Sequence, residues 1–212
     1  MVSSPKIPDK LDELLGLEEF LEFNDTIKEC LIQDDNLKNF ELDELIVSYS
    51  KFKNVSFNES NLPKGTYNDV IFENCDFSST NLEKSTFKRV TFSNCKLTGT
   101  ILNNSYFENV SFISCIMPSI ILDNTNFSSD IFSKCNLNGA SISGITFKNL
   151  EFEECDLTET NFTNTNMNGL DLRSCDISGI ITYIDDLKGV ILTSTQSLGF
   201  IKLLGITVID DE

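Results

Sequence analysis

Residues Ile71–Leu97, IFENCDFSSTNLEKSTFKRVTFSNCKL, decide the fold. Phe72, Phe77, Leu82, Phe87, Phe92 and Leu97 recur every five residues, a period that fits neither the 3.6 of a helix nor the 2.0 of a flat strand. A bend must therefore recur in every unit. Two places before each large apolar residue stands a small one (Cys75, Thr80, Ser85, Val90, Cys95), and the two residues after it are polar. The spacing predicts a backbone that runs in, out, in, then turns over two residues and starts another side.

A second period counts the sides. Cysteine recurs at Cys75, Cys95, Cys115, Cys135, Cys155 and Cys175, and phenylalanine at Phe52, Phe72, Phe92, Phe112, Phe132 and Phe152, both at twenty-residue intervals. Four sides of five residues make a square coil; a three-sided coil would repeat at fifteen. Coils stacked as parallel strands lie ~4.8 Å apart, so like residues form inward columns in an all-β solenoid. From Ile27 to Ile177 every fifth position is apolar, 31 in succession, through weak units such as Leu37, Leu42 and Val47 and past Pro63 and Pro118 in turns. No inserted loop interrupts the frame. Seven to eight coils give a stack of roughly 35 to 40 Å. Asparagine or glycine often ends the turn (Asn54, Asn74, Asn94, Gly99, Gly139, Gly169), where positive φ is expected.

The 212 residues divide into a lid segment (1–24), the solenoid (25–192) and a C-terminal segment (193–212), within one quasi-one-dimensional domain. A net charge of −17, without histidine and with a pI near 4.3, argues against direct binding to nucleic acid or an anionic membrane. No basic and apolar leader and no run of ~18 apolar residues is present, so a cytoplasmic location is expected. The seven cysteines lack zinc spacings and in an inward column would point the same way, so they are expected as reduced core thiols, without disulfide or metal. No phosphate loop, nucleophile motif or histidine offers a catalytic residue, and no cofactor is expected.

Units such as Cys75-Asp76-Phe77-Ser78-Ser79, Cys155-Asp156-Leu157-Thr158-Glu159 and Thr160-Asn161-Phe162-Thr163-Asn164 resemble the A-(D/N)-L-x-x consensus of pentapeptide-repeat proteins. The resemblance covers residues 27–192 and implies a right-handed quadrilateral β-helix. Within that family, Phe87-Lys88-Arg89-Val90-Thr91-Phe92, Cys95-Lys96-Leu97-Thr98-Gly99-Thr100, Gly169-Leu170-Asp171 and the ending from Leu187-Lys188-Gly189-Val190 through Gln196 to Leu204-Gly205-Ile206 are similar to the loop-less branch of the Qnr group. That likeness implies a non-enzymatic DNA mimic that binds DNA gyrase or topoisomerase IV and modulates it, with reduced quinolone susceptibility as a consequence. The alternative is a pentapeptide-repeat scaffold or partner-binding module unrelated to topoisomerases.

At the N-terminus Asp9 is expected to cap a short helix through Leu15, stopped by Gly16, with Phe20, Leu21 and Phe23 as further cover for the first coil. Thirteen acids against four lysines in residues 1–50 also allow an acidic partner-binding arm. At the C-terminus Thr193 and Gln196 form a capping box for a helix to Leu204, ended by Gly205. Leu198, Phe200, Ile201, Leu203 and Leu204 are too many large apolar residues for a helix covered on one side. The family resemblance implies that the same helix and terminal strand (Ile206–Ile209) of a second copy cover the other side, making a homodimer.

Charge marks the candidate partner site. Residues 51–150 hold eight acids and nine bases, whereas 151–186 hold Glu151, Glu153, Glu154, Asp156, Glu159, Asp171, Asp176, Asp185 and Asp186 against Arg173 alone. In a dimer joined at the C-termini these patches meet at the middle of a rod of ~70 to 80 Å, about twenty base pairs of DNA, which carries a charge every ~1.7 Å. A structural reading stands beside this: aspartates one place before the large apolar residue can cap their own turns. That reading leaves Glu153, Glu154 and Glu159 unexplained, and it predicts repulsion where Glu151 stacks on Asp171 and Asp156 on Asp176.

Overall fold

A computed structural model describes residues 2–205 and 207. The chain winds into a four-sided parallel β-solenoid. Strands β1 (Asp12–Glu13), β2 (Thr26–Lys28) and β3 (Cys30–Gln33) start the stack, and β4 (Ile46–Lys53), β5 (Thr66–Glu73), β6 (Thr86–Ser93), β7 (Tyr106–Ile113), β8 (Asn126–Ser133) and β9 (Thr146–Glu153) continue it. From β2 to β8 each pairs in parallel with the strand twenty residues on, as in Phe52 with Phe72 and Phe72 with Phe92, while β1 pairs with β3 at an offset of eighteen. The other two sides are shorter and are joined by single bridges such as Ser56 to Asp76 and Asn61 to Asn81.

The corner is a left-handed residue. Every fifth position from Glu29 to Gly169 has positive φ, including Tyr49, Asp69, Arg89, Asn109, Ser129 and Asn149 inside β4 to β9. Each of these strands is therefore bent and serves two sides. Asparagine tolerates this conformation and glycine adopts it freely, which is why both are frequent there.

The large residue of each unit points inward. Along one side Phe52, Phe72, Phe92, Phe112, Phe132 and Phe152 stack with ring centroids 5.0, 5.0, 4.8, 4.7 and 5.1 Å apart, so the rings themselves measure the rise per coil. Tyr67, Phe87, Phe107 and Phe127 form a second stack. Each buried ring contributes roughly 1.5 to 3 kcal/mol in transfer terms. The cysteines from Cys75 to Cys175 are buried and free. Their role is more than filling space: Cys95 Sγ donates to the carbonyls of Phe72 and Ser93, both at 3.5 Å. Serine and threonine do the same at the equivalent place on other sides, where Thr80 Oγ1 donates to Phe57 O at 2.7 Å and Ser105 Oγ donates to Leu82 O at 3.4 Å. A small donor at this position satisfies carbonyls that the coil corners leave over.

The stack is ruptured once. β9 has no paired strand above it, although the apolar frame continues through Met167 and Leu172, both buried. Segment 166–173 instead bonds upward, with Met167 N–H to Asp186 O at 2.9 Å, Gly169 N–H to Gly189 O at 3.0 Å and Leu172 N–H to Ile191 O at 3.0 Å. The other two sides stay closed through Asp156 to Asp176 and Asn161 to Ile181. Asn166, Asn168 and Gly169 are poor strand formers. Glu151 would also face Asp171 directly, and like charges opposite one another weaken a ladder. The expected stack of Glu151 on Asp171 is thus not formed, whereas that of Asp156 on Asp176 is.

The N-terminal segment departs from expectation. There is no helix over 9–15; Asp12 and Leu14 donate their N–H groups to Glu29 O and Leu31 O at 2.9 and 3.0 Å, adding a short strand beneath β3. Gly16 (φ 68°) precedes helix α1 (Leu17–Leu21) rather than ending one. Leu17 and Leu21 are buried and Phe20 packs against the core, while Phe23 is exposed. Residues before this lid run along the outside of the rod as a strap: Lys6 N–H bonds Asp69 Oδ1 at 2.9 Å and Ser3 N–H bonds Asn109 Oδ1 at 3.0 Å.

At the other end Thr193 and Gln196 form the capping box of helix α2 (Ser194–Leu198). The chain does not continue as one helix to Leu204; it breaks at Gly199 and resumes as a 3-10 turn over Ile201–Leu204. Phe200 packs on the last coil, and Gln196 Nε2 bonds the carbonyls of Leu172 and Cys175 at 2.8 and 3.0 Å. Ile206 and the expected strand to Ile209 lie outside the described residues.

Candidate functional site

The nine acids of the C-terminal coils stand on three successive sides of the rod, those of Met167, Phe152 and Leu157, and their hydrogen bonds sort them. Asp156 Oδ1 accepts Thr158 N–H and Oγ1–H, Asp176 Oδ1 accepts Ser178 N–H and Oγ–H, and Asp171 accepts Arg173 N–H. These are turn caps. Arg173, whose guanidinium also bonds the carboxylate at 2.6 Å, holds Asp171 down at about 2. Hydrogen bonds from Ser178 hold Asp176 low as well. Asp186 Oδ2 accepts Asn164 N–H at 2.9 Å, and Asp185 pairs with Lys188 at 2.9 Å. Glu154 lies 3.9 Å from Lys134.

Three carboxylates remain. Glu151, Glu153 and Glu159 are exposed and make no side-chain hydrogen bond or ion pair among the described residues. Glu151 and Glu153 stand on the side carrying the phenylalanine stack, and Glu159 at the corner beyond the cysteine column. Charge held outward without a local structural task is what a cationic partner can use. Among the described residues no group of histidine, cysteine, aspartate or glutamate is arranged to hold a metal ion.

Elsewhere the ionisable groups are structural. Hydrogen bonding to Cys135, together with burial, pushes the Cys155 thiol up to about 12, and the whole column from Cys75 to Cys175 is buried away from solvent. Burial alone would raise Asp69, but the bidentate Arg89 guanidinium at 2.7 and 2.6 Å and the Lys6 amide hold its carboxyl below the usual range. The sequence reading missed this pair and the strap that covers it; Asp69 and Arg89 at equivalent corners twenty residues apart were the available signal.

The expected dimer residues are only partly covered. Phe200 and Ile201 are half-buried, whereas Leu198, Leu203 and Leu204 are 58%, 46% and 60% exposed. Ile181, Tyr183, Ile184 and Ile191 add exposed apolar surface at the same end. A groove of about 590 Å³ runs between the last coil and α2, lined by Ile180, Phe200 and Leu203 among others.

A family model described as a pentapeptide repeat region matches residues 65–140, and one described as pentapeptide repeats, in eight copies, matches residues 140–179. Together they span more than half of the 212 residues. No curated protein matches the chain. Among solved structures, trypsin-treated QnrB1, a plasmid-mediated fluoroquinolone resistance protein, is similar at 21% identity over 87% of this chain and 92% of that chain, with a TM-score of 0.47. The full-length form gives 18% identity over 83% and 100%, with a TM-score of 0.36. HetL, a pentapeptide repeat protein involved in heterocyst differentiation regulation from the cyanobacterium Nostoc, gives 15% over 82% and 92%, with a TM-score of 0.25.

Proposed function

The chain belongs to the pentapeptide-repeat family, and from that premise we propose that it is a binding rod which engages a bacterial type II topoisomerase, DNA gyrase or topoisomerase IV, by imitating DNA. The observation that carries this reading is the unengaged charge of Glu151, Glu153 and Glu159 on the outside of the C-terminal coils. Turn caps and local ion pairs account for the other six acids there, and these three have no such task. The likeness of its sequence to the loop-less Qnr group supplies the partner class. Reduced quinolone susceptibility would follow if the bound rod displaces gate DNA from the enzyme.

Binding of this kind rests on many exposed charge contacts and weakens with salt. Replacing Glu151, Glu153 and Glu159 together by lysine is expected to abolish any effect on supercoiling, with the thermal transition unchanged, because outward positions carry little stability. The measurement is gyrase supercoiling and topoisomerase IV relaxation, with and without quinolone, at low and physiological salt. If the unmodified protein alters neither activity nor quinolone-induced cleavage at low salt, the reading fails. The scaffold alternative then takes its place, favoured by the turn-capping work of Asp156, Asp171 and Asp176.

A further inference from the structure

The rupture above β9 leaves main-chain groups idle in the middle of an otherwise closed ladder. Throughout the rod the large residue and the corner residue of each unit donate N–H to the coil above, as Phe77 does to Lys96 O and Asn74 to Ser93 O. The carbonyl two places before the large residue accepts from above, as Cys75 O does from Lys96 N–H. By that repeat Phe147, Asn149 and Phe152 should donate to, and Ile145 and Leu150 accept from, residues 166–171. None of these bonds is formed among the described residues.

Two openings occupy the gap. One of about 540 Å³ is bounded by Leu150, Glu151, Glu153 and Asp171 among others. The second, of about 280 Å³, is bounded by Phe147, Asn166 and Asn168 among others. Phe147 is half-buried, unlike Phe87, Phe107 and Phe127 beneath it. A strand edge with unmet donors and acceptors is a template for another extended chain.

We propose that the upper edge of β9 is a docking site for an extended, basic segment of a partner protein, which adds to Thr146–Glu153 as a further strand and sets its cationic side chains against Glu151 and Glu153. Charge selects this occupant. Both glutamates line the larger opening, and the one cation that lines it with them among the described residues, Arg173, is bonded to Asp171 at 2.6 Å rather than to either glutamate. A second copy offering the same edge would bring like carboxylates together. The chain's own segment Asp210-Asp211-Glu212 carries the wrong sign. Main-chain pairing supplies the affinity and the acidic rim the selectivity. The inference does not rest on the topoisomerase reading, and failure of the supercoiling assay leaves it standing.

Amide hydrogen exchange on the full chain tests it, with a ten-residue synthetic peptide of alternating lysine and valine as the probe. In the free protein the amides of Phe147, Asn149 and Phe152 are expected to exchange at least roughly tenfold faster than those of Phe127, Ser129 and Phe132 one coil below. The peptide should slow them by a similar factor. A peptide of alternating glutamate and valine should not, nor should the lysine peptide N-methylated at alternate amides. The double variant Glu151→Gln, Glu153→Gln should weaken the lysine peptide while protection in β8 stays unchanged. Three results would each overturn the proposal: edge amides already protected in the dilute free chain, protection that rises with protein concentration alone, or equal binding of the N-methylated peptide, which would leave charge as the only attraction.

Discussion

Asp130 breaks the rule of its own column. The equivalent places along that side hold Ser50, Val70, Val90, Val110 and Leu150, and Asp130 is as buried as they are. Its Oδ1 accepts the Val110 N–H at 2.6 Å, its Oδ2 has no partner, and the pairing of Val110 with residue 130 drops out of the β7–β8 ladder. Burial, with Glu108 nearby adding repulsion, pushes the carboxyl up to about 6. A folded-state pKa above the unfolded value means that stability is fully present below about 4 and is lost as pH rises through about 6. The loss at neutral pH amounts to about 3 kcal/mol at 1.36 kcal/mol per unit. Asp130→Val is therefore expected to stabilise the rod by about 1 to 3 kcal/mol at pH 8 and to confer little below pH 4. Denaturant unfolding at both pH values checks this; an equal effect at the two would show that the residue is not titrating in the fold.

At the level of elements, what was legible in the sequence is whatever a period can carry. Phe72 to Leu97 set the phase, the cysteines fixed four sides, and Thr193 with Gln196 marked the start of α2. The N-terminal helix was misplaced because Leu11, Leu14 and Leu15 fit a helical face, whereas the carbonyls of Glu29 and Leu31 claim that stretch as a strand. Gly16 is left-handed in either case, so it could not tell a start from a stop. The rupture was silent because Met167 and Leu172 keep the apolar phase; only acid facing acid and the run Asn166-Met167-Asn168-Gly169 pointed to it. Of the candidate site, the outward placement was legible, but which acids were spent on turns depended on hydrogen bonds. The strap was illegible, since it rests on single contacts to Asp69 and Asn109 far along the chain. Its anchor can be tested: Arg89→Ala strands a carboxylate that is 1% exposed and should cost ~3 to 5 kcal/mol. Release of the strap should open Lys6 and Lys10 to trypsin before the rod unfolds. The Asp69 contribution, from a lowered pKa, is present at neutral pH and is lost as pH falls through the folded value. A variant as stable and as protease-resistant as the parent would show that the strap is held by other contacts.

The two ends of the whole molecule differ. Helix α1 closes the first coil with Leu17 and Leu21 buried, and among the described residues at that end only Leu15 and Phe23 are large, apolar and exposed. At the last coil Phe200 is the inward anchor and Leu203 lines the groove beside it, while Leu198, Leu204, Ile181, Tyr183, Ile184 and Ile191 are exposed elsewhere at the same end. Exposed apolar residues gathered at one end of a rod of net charge −17 make that end the place to expect an interface, and a two-fold contact there would set the Glu151, Glu153 and Glu159 clusters of both copies about a common centre. Like charges near that centre oppose association, so the apolar contact must outweigh them, and dimerisation should strengthen as salt rises, opposite to binding of a cationic partner. Leu204→Lys places an ionised group in the seam, where desolvation is costly. It is expected to give a folded monomer with an unchanged thermal transition. Sedimentation of parent and variant at low and high salt decides the matter. A parent that stays monomeric at concentrations on the order of tens of micromolar, weaker than the micromolar affinity expected of even a modest interface, overturns the dimer. A variant that unfolds would instead assign Leu204 to the cap of its own coil.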